Sequence, residues 1–176
     1  MKQLTKIVWL LLATLFIIGC QPTTPTQSTS TSQSNTSVTS NQISDIDDLI
    51  HTENFNRHAL EHIFYGTINR KGQATGYHHE SIAPDAEIIK GTRSKNDQHG
   101  VYRAKVKVDG ITKQAMSSFF PEKWTPQQVV DAINEAYESR EHVSGNIYEG
   151  TSGKISIQMY LTDNDKIISA FPIYER

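Results

Sequence analysis

From Ile43 onward the apolar positions change period several times, and each change marks an element. Ile46, Leu49 and Ile50 form a short helical stripe behind Ser44, an N-cap candidate followed by Asp45, Asp47 and Asp48, acids suited to the positive end of a helix. Asn54 opens a second helical piece with Phe55, Ala59, Leu60 and Ile63 inward, running to about Phe64 and stopped by Gly66. Thr67-Ile68-Asn69 then leads through a turn at Arg70-Lys71-Gly72 into a strand-like return ending in Gly76-Tyr77-His78-His79. Pro84 to Asp97 reads as an irregular connection with a short strand at Glu87-Ile88-Ile89. Val101 to Val108 alternates, with Tyr102, Ala104, Val106 and Val108 on one face and Arg103, Lys105 and Lys107 on the other. Asp109-Gly110 is a two-residue hairpin signal, so Ile111 to Ser117 should fold straight back and bring Lys113 beside the basic face. After Phe119-Phe120-Pro121, Thr125-Pro126-Gln127-Gln128 combines an N-cap, proline at the first helical position and a capping box. Val129, Val130, Ile133, Ala136 and Tyr137 are the buried stripe of that helix. A short strand around Asn146-Ile147-Tyr148, an alternating one from Lys154 to Leu161, a turn at Asp163-Asn164-Asp165 and a last strand from Lys166 to Tyr174 complete the pattern. The expected class is α+β: N-terminal helices packed on mainly antiparallel sheets, with one central helix.

The first 42 residues follow a different logic. Lys2 and Lys6 precede an apolar run from Ile7 to Ile18, shorter than the roughly 20 residues of a membrane span and suited to a signal-peptide core. Ile17-Ile18-Gly19-Cys20 reads as a lipobox. Residues 1–19 are therefore expected to be a lipoprotein signal peptide, with Cys20 acylated and the protein anchored to the cell membrane outside the cytoplasm. Residues 20–42 are almost entirely Gln, Thr, Ser, Pro and Asn, a composition that cannot offset chain entropy by burial. They are expected to be a disordered tether with a root-mean-square reach of roughly 25 Å. The folded domain, residues 43–176, has no cysteine and hence no internal disulfide. It carries fifteen basic against nineteen acidic residues, so nucleic-acid binding, usually basic overall, would have to rest on local charge.

Candidate chemistry concentrates between His58 and Glu80, where four of the seven histidines fall. His58 and His62 share a helix face at i, i+4 spacing, and the return segment can carry His78 back to His62. Two neutral imidazoles facing one cleft can serve as general base and general acid near neutral pH.

Glu61-His62-Ile63-Phe64-Tyr65-Gly66, followed by Gly76-Tyr77-His78 with the histidines sixteen positions apart, resembles the EndoU ribonuclease signature. Lys113 to Trp124 and Ile167 to Pro172 resemble the bacterial branch of that family, in the right order. The resemblance implies a metal-independent endoribonuclease acting on single-stranded RNA at uridines, with His78 as base, His62 as acid, and a 2′,3′-cyclic phosphate and 5′-hydroxyl as products. No cofactor is implied; a divalent cation would at most stimulate. Lys113, with Ser117 four residues on, matches the cation that steadies the phosphorane, while Lys105 and Lys107 compete for that role or steer the RNA backbone. Ser117 or Ser118 is implied as a contact to base or phosphate. Where relatives carry Thr-x-Tyr-Pro, this chain has Ser169-Ala170-Phe171-Pro172. Ser169 keeps a hydroxyl and Phe171 can stack but not donate. Tyr174, expected on the same side of an extended strand, is the candidate for the missing phenol. RNA, a membrane reached through the lipid anchor and an immunity protein are the implied partners, for a monomeric domain.

Two alternatives stand beside this reading. His58-x-x-x-His62 has zinc-ligand spacing, with His78 or His79 and Glu80 available, although Ala59 occupies the place of the zincin glutamate. A surface binding module that has kept the fold and lost catalysis is the other. His58 and His79 are otherwise supporting residues, with His79 pointing away from His78 in an extended segment.

Overall fold

The computed structural model describes residues 42–176. The expected signal peptide, Cys20 and all of the tether except Gln42 lie outside the described residues.

The chain enters through a single 3-10 turn, Ile46–Asp48, capped by Asp45 rather than Ser44, with Asp48 completing a capping box. The second helical piece is also capped one step later than its sequence suggests. Asn56, not Asn54, accepts from the His58 amide, and α1 spans only Arg57–Leu60 before widening into a π turn, Glu61–Tyr65. Its last carbonyls find partners outside the helix. The carbonyls of His62 and Ile63 accept hydrogen bonds from the amides of Tyr77 and His78, at 2.9 and 2.7 Å. The helix end is built by a segment fifteen residues away.

β1 (Thr67–Ile68) and β2 (Ala74–Thr75) pair as a minimal hairpin, and β3 (Ala86–Ile88) follows. The alternating stretch after Val101 is two strands, not one: β4 (Tyr102–Ala104) and β5 (Val106–Val108) separate at exposed Lys105. Asp109 and Gly110 both take positive φ, 49° and 75°, as a type I′ turn demands. The return also breaks. β6 (Ile111–Thr112) pairs with β5, and β7 (Ser117–Phe119) pairs with β4. Between them Gln114, Ala115 and Met116 bulge opposite the single residue Lys105. The register pairs Lys107 with Thr112, while the Lys113 amide bonds Val106 at 2.9 Å. Lys113 therefore lies on the buried Val106 face, opposite the basic face it was expected to join.

α2 (Pro126–Glu138) starts with the Thr125 cap and Gln128 capping box read from the sequence. β8 (Glu141–Ser144) is an exposed edge strand that no apolar alternation announced; Asn146 belongs to the turn after it, and β9 runs Ile147–Ser152. β10 (Ile155–Leu161) and β11 (Ile167–Pro172) complete an antiparallel sheet ordered β11-β10-β9-β8. Ile155, Ile157, Met159 and Leu161 bury one face of it against Val129, Val130, Ile133 and Ala136 of α2. A smaller core gathers Tyr77, Tyr102, Val106, Val108 and Phe119. There the Tyr102 and Phe119 rings stack at 5.0 Å, and the Arg93 guanidinium lies 3.7 Å over Tyr102. The domain is α+β with antiparallel sheets, and its histidine segment lies between these two cores.

Candidate active site

Gly76 decides the position of the return segment. A Cβ there would stand 2.1 Å from the His62 carbonyl oxygen, so only glycine lets the two backbones approach. Gly76 and Tyr77 both take positive φ, 74° and 61°. For a tyrosine this conformation is strained. It is held by the amide bond to His62 and by the buried Tyr77 ring, edge-on to Phe119 at 5.3 Å. The result brings the His62 and His78 rings to 6.2 Å between centroids. Both line a cavity of about 410 Å³ together with Thr75, Lys113, Tyr160 and Phe171.

The hydrogen-bond network determines which ring nitrogen of each histidine carries a proton. His78 Nδ1 lies 2.8 Å from the Ser118 carbonyl, which only accepts, so Nδ1 carries hydrogen and Nε2 keeps its lone pair. Thr75 donates its hydroxyl to the Thr67 carbonyl at 3.0 Å. The Thr67–Thr75 hydroxyl contact, 3.0 Å, must then be donated by Thr67. That leaves Thr67 Oγ1 to accept from His62 Nδ1 at 3.2 Å. Both imidazoles are thus the Nδ1–H tautomer with Nε2 free.

Lys113 is half-buried, and its ammonium donates to the Gly76 carbonyl at 2.9 Å and to Ser117 Oγ at 2.7 Å. Two of its three hydrogens are used, leaving one for the cavity. Ser117 is fully buried and passes its own proton to the Gly76 carbonyl at 3.0 Å. It orients Lys113 and is closed to a substrate. Burial lowers Lys113 to about 8. Burial, then the Lys113 charge, lowers His62 to about 4. Burial likewise holds His78 well below the ordinary histidine range, with Lys113 adding to the effect and the bond to Ser118 opposing it. At pH 7 the cleft holds two neutral imidazoles beside one ammonium.

Ser169 and Phe171 face this cavity from β11, and Phe171 stacks on His78 at 5.2 Å and 23°. Tyr174 does not join them. The strand ends at Pro172, and the Tyr174 hydroxyl reaches the Lys95 carbonyl at 3.4 Å. Lys107 also stays outside, paired on the outer face with Glu87 at 3.5 Å. His58 is turned to solvent and bonded to Glu61 at 3.1 Å, so the wider π turn does not leave His58 and His62 facing one metal ion. Among the described residues no group of three or more His, Cys, Asp or Glu side chains is placed to share a metal. His79 points away from His78, buried edge-on to Phe64 at 6.0 Å with Nδ1 on Ser81 at 2.7 Å, and burial lowers it to about 4. Sequence reasoning missed Thr67, Thr75 and Tyr160. The alternation of β10 put Tyr160 opposite the core and was the available signal; nothing local marked the threonines.

Two imidazoles with free Nε2 atoms beside one fixed cation define a site for acid–base chemistry on an anion. Bacterial EndoU nuclease is the family whose model matches, over residues 56–174, and the chain belongs to it. A protein of Bacillus cereus named "Toxin" is 46% identical over 132 residues, which cover 72% of this chain and 24% of that protein. The chain thus spans about a quarter of the length of that relative. No solved structure matches.

Proposed function

We propose that the domain is an endoribonuclease that cleaves single-stranded RNA, with preference for uridine, by transesterification. His78 Nε2 takes the proton of the ribose 2′-hydroxyl as O2′ attacks phosphorus. The P–O2′ bond forms and the P–O5′ bond breaks, and His62 gives its Nε2 proton to the departing O5′. The products are a 2′,3′-cyclic phosphate and a 5′-hydroxyl. Lys113 directs its remaining N–H at the extra negative charge of the phosphorane. The acid must be protonated, and His62 is neutral in the free cleft. An incoming phosphodiester anion counters the Lys113 charge that helps hold His62 low, so RNA binding itself promotes its protonation. The observation carrying this reading is the pair of Nδ1–H imidazoles 6.2 Å apart beside Lys113.

The relative's name makes a toxin role part of the same proposal, with an RNA of a rival cell as target and an immunity protein as its antagonist. Export and anchoring through Cys20 would take the domain there; equal fractionation of wild type and Cys20→Ala into the cytoplasm would remove that part. The activity is tested by incubating the domain with fluorophore-labelled oligouridine, with and without EDTA, and identifying the product ends. Cleavage in EDTA to a cyclic phosphate is expected. Cleavage lost in EDTA points to a metal enzyme, and binding without cleavage points to a module that has lost catalysis.

A further inference from the structure

A second cavity, about 390 Å³, adjoins the first and shares Met116, Ser118 and Phe171 with it. Its own walls carry Arg103, Glu149, Gln158 and Tyr174. The sheet register explains the arrangement: Gln158 pairs with Phe171 on one side and Glu149 on the other. These three side chains form one row across β9, β10 and β11, on the face turned away from α2. Arg103 reaches the cavity from β4, where it pairs with Ser118. Arg103 and Glu149 are both half-buried, and neither has an ion-pair partner among the described residues, not even each other.

A half-buried guanidinium and a half-buried carboxylate without partners, over a floor of Phe171, Pro172 and Met116, constrain the occupant. A phosphate would satisfy Arg103 and be repelled by Glu149. An apolar group would leave both charges desolvated and unpaired, which is costly. A planar ligand with acceptors on one edge and donors on another satisfies both. Among the RNA bases guanine meets this best, with O6 and N7 as a bidentate acceptor pair for arginine and N1–H and N2–H as paired donors for a carboxylate. Uracil offers one donor, N3–H, and adenine and cytosine one amino group each.

Resting on the nuclease reading above, we propose that this cavity binds the guanine of a nucleotide next to the cleaved one, with Arg103 on its O6/N7 edge and Glu149 on its N1/N2 edge. The natural target is then a uridine–guanosine neighbourhood in single-stranded RNA. The test uses oligonucleotides with a single ribouridine in a deoxyribose background, flanked on one side and then the other by guanine, adenine, cytosine or thymine. Guanine on one side should raise kcat/KM at least about ten-fold over adenine. Glu149→Gln and Arg103→Met should each bring the guanine-to-adenine ratio at least about five-fold toward parity. Inosine, which lacks the N2 amino group, should lose part of the advantage with wild type and none further with Glu149→Gln. Equal rates with every flanking base overturn the proposal, as does a guanine preference that both variants retain. If no oligonucleotide is cleaved, anisotropy binding of the all-deoxyribose series decides: guanine preference there supports the cavity and refutes the nuclease reading, and its absence refutes the cavity.

Discussion

The two halves of this domain reach rigidity by opposite means. Around α2, rigidity comes from area. A strict stripe of Val129, Val130, Ile133 and Ala136 packs on the alternating face of β10, and all eight or so participating side chains are apolar and enclosed. Around the histidines, rigidity comes from a few backbone hydrogen bonds among two- and three-residue strands, a π turn and two consecutive left-handed residues. In the first half the packing is shared among many side chains. The second has almost no redundancy: the Gly76 carbonyl alone receives both the Lys113 ammonium and the Ser117 hydroxyl. Strain and polar precision collect where the chemistry is proposed, and ordinary packing collects where it is not.

The sharpest way to break this contrast is to substitute one residue in each half. His78→Ala and His62→Ala should each lower cleavage of oligouridine by the folded protein by at least about 10²-fold, beside a stability cost of about 1–3 kcal/mol where His78→Ala leaves the Ser118 carbonyl without its partner. Ile133→Ala should do the reverse, costing ~2–5 kcal/mol of stability while the folded fraction keeps its turnover. Denaturant midpoints and single-turnover rates on the same preparations separate the two. A fully active His78→Ala protein would remove the proposed base.

Within the cleft half, the two lysines of the hairpin give the next contrast. Lys113→Ala should depress turnover about 10²-fold even at saturating RNA. Lys107→Ala, which only frees Glu87 on the outer face, should leave turnover within about two-fold, since exposed pairs contribute little. The opposite ranking would assign the cation to the other strand.

The same ammonium should write an alkaline limb into the pH profile. Burial lowers Lys113 to about 8, so the cation is present below that pH and lost above it. The kcat/KM, already declining with pH as the His62 acid of the free protein loses its proton, should steepen by about a further ten-fold per unit as pH rises beyond 8. Lys113→Arg keeps its charge throughout, so the profile of whatever activity it retains should show no added break near pH 8. An unchanged limb in that variant would assign it to another group.

How much of this was legible in the sequence follows the same division. α2, its capping box, β10 and the Asp109-Gly110 turn are specified by local patterns: one period, one cap, one pair of turn residues. His62, His78 and Lys113 could be singled out because the resemblance carried them, and the structure gathers all three at one cavity. What local reasoning could not supply was their geometry. The π turn after Leu60 ends with its His62 and Ile63 carbonyls bonded by the amides of Tyr77 and His78. Lys113 changes face because the return strand pairs with β5 in a register that matches it to Val106, and a bulge then separates it from β7. Tyr174 leaves the site because β11 ends at Pro172, and its odd spacing from Phe171 could have warned of it. The helix end depends on a contact far away in sequence, which no window on the chain contains; the face of Lys113 does not, because a two-residue turn at Asp109-Gly110 already matches Val106 with Lys113.

The smallest expected effect tests the finest part of that construction, the proton chain from His62 through Thr67 and Thr75 to the Thr67 carbonyl. Thr67→Val keeps the shape of the side chain and its place in the β1–β2 pair, so the cavity walls should persist. It removes the oxygen that accepts from His62 Nδ1, and with it the preference for the tautomer that leaves Nε2 facing the reaction. The neutral imidazole can then carry its proton on either nitrogen, and the ring loses an orienting bond worth about 0.5–1.5 kcal/mol. Turnover should fall roughly three- to ten-fold with little change in KM. Thr67→Ser restores the acceptor without the methyl group and should recover most of the rate. A loss of packing would behave differently, because Thr67→Ser, the smaller side chain, would then be worse than Thr67→Val. Nitrogen-15 shifts of the His62 ring report the tautomer directly. If Thr67→Val leaves them unchanged, the threonine chain does not set the proton on His62.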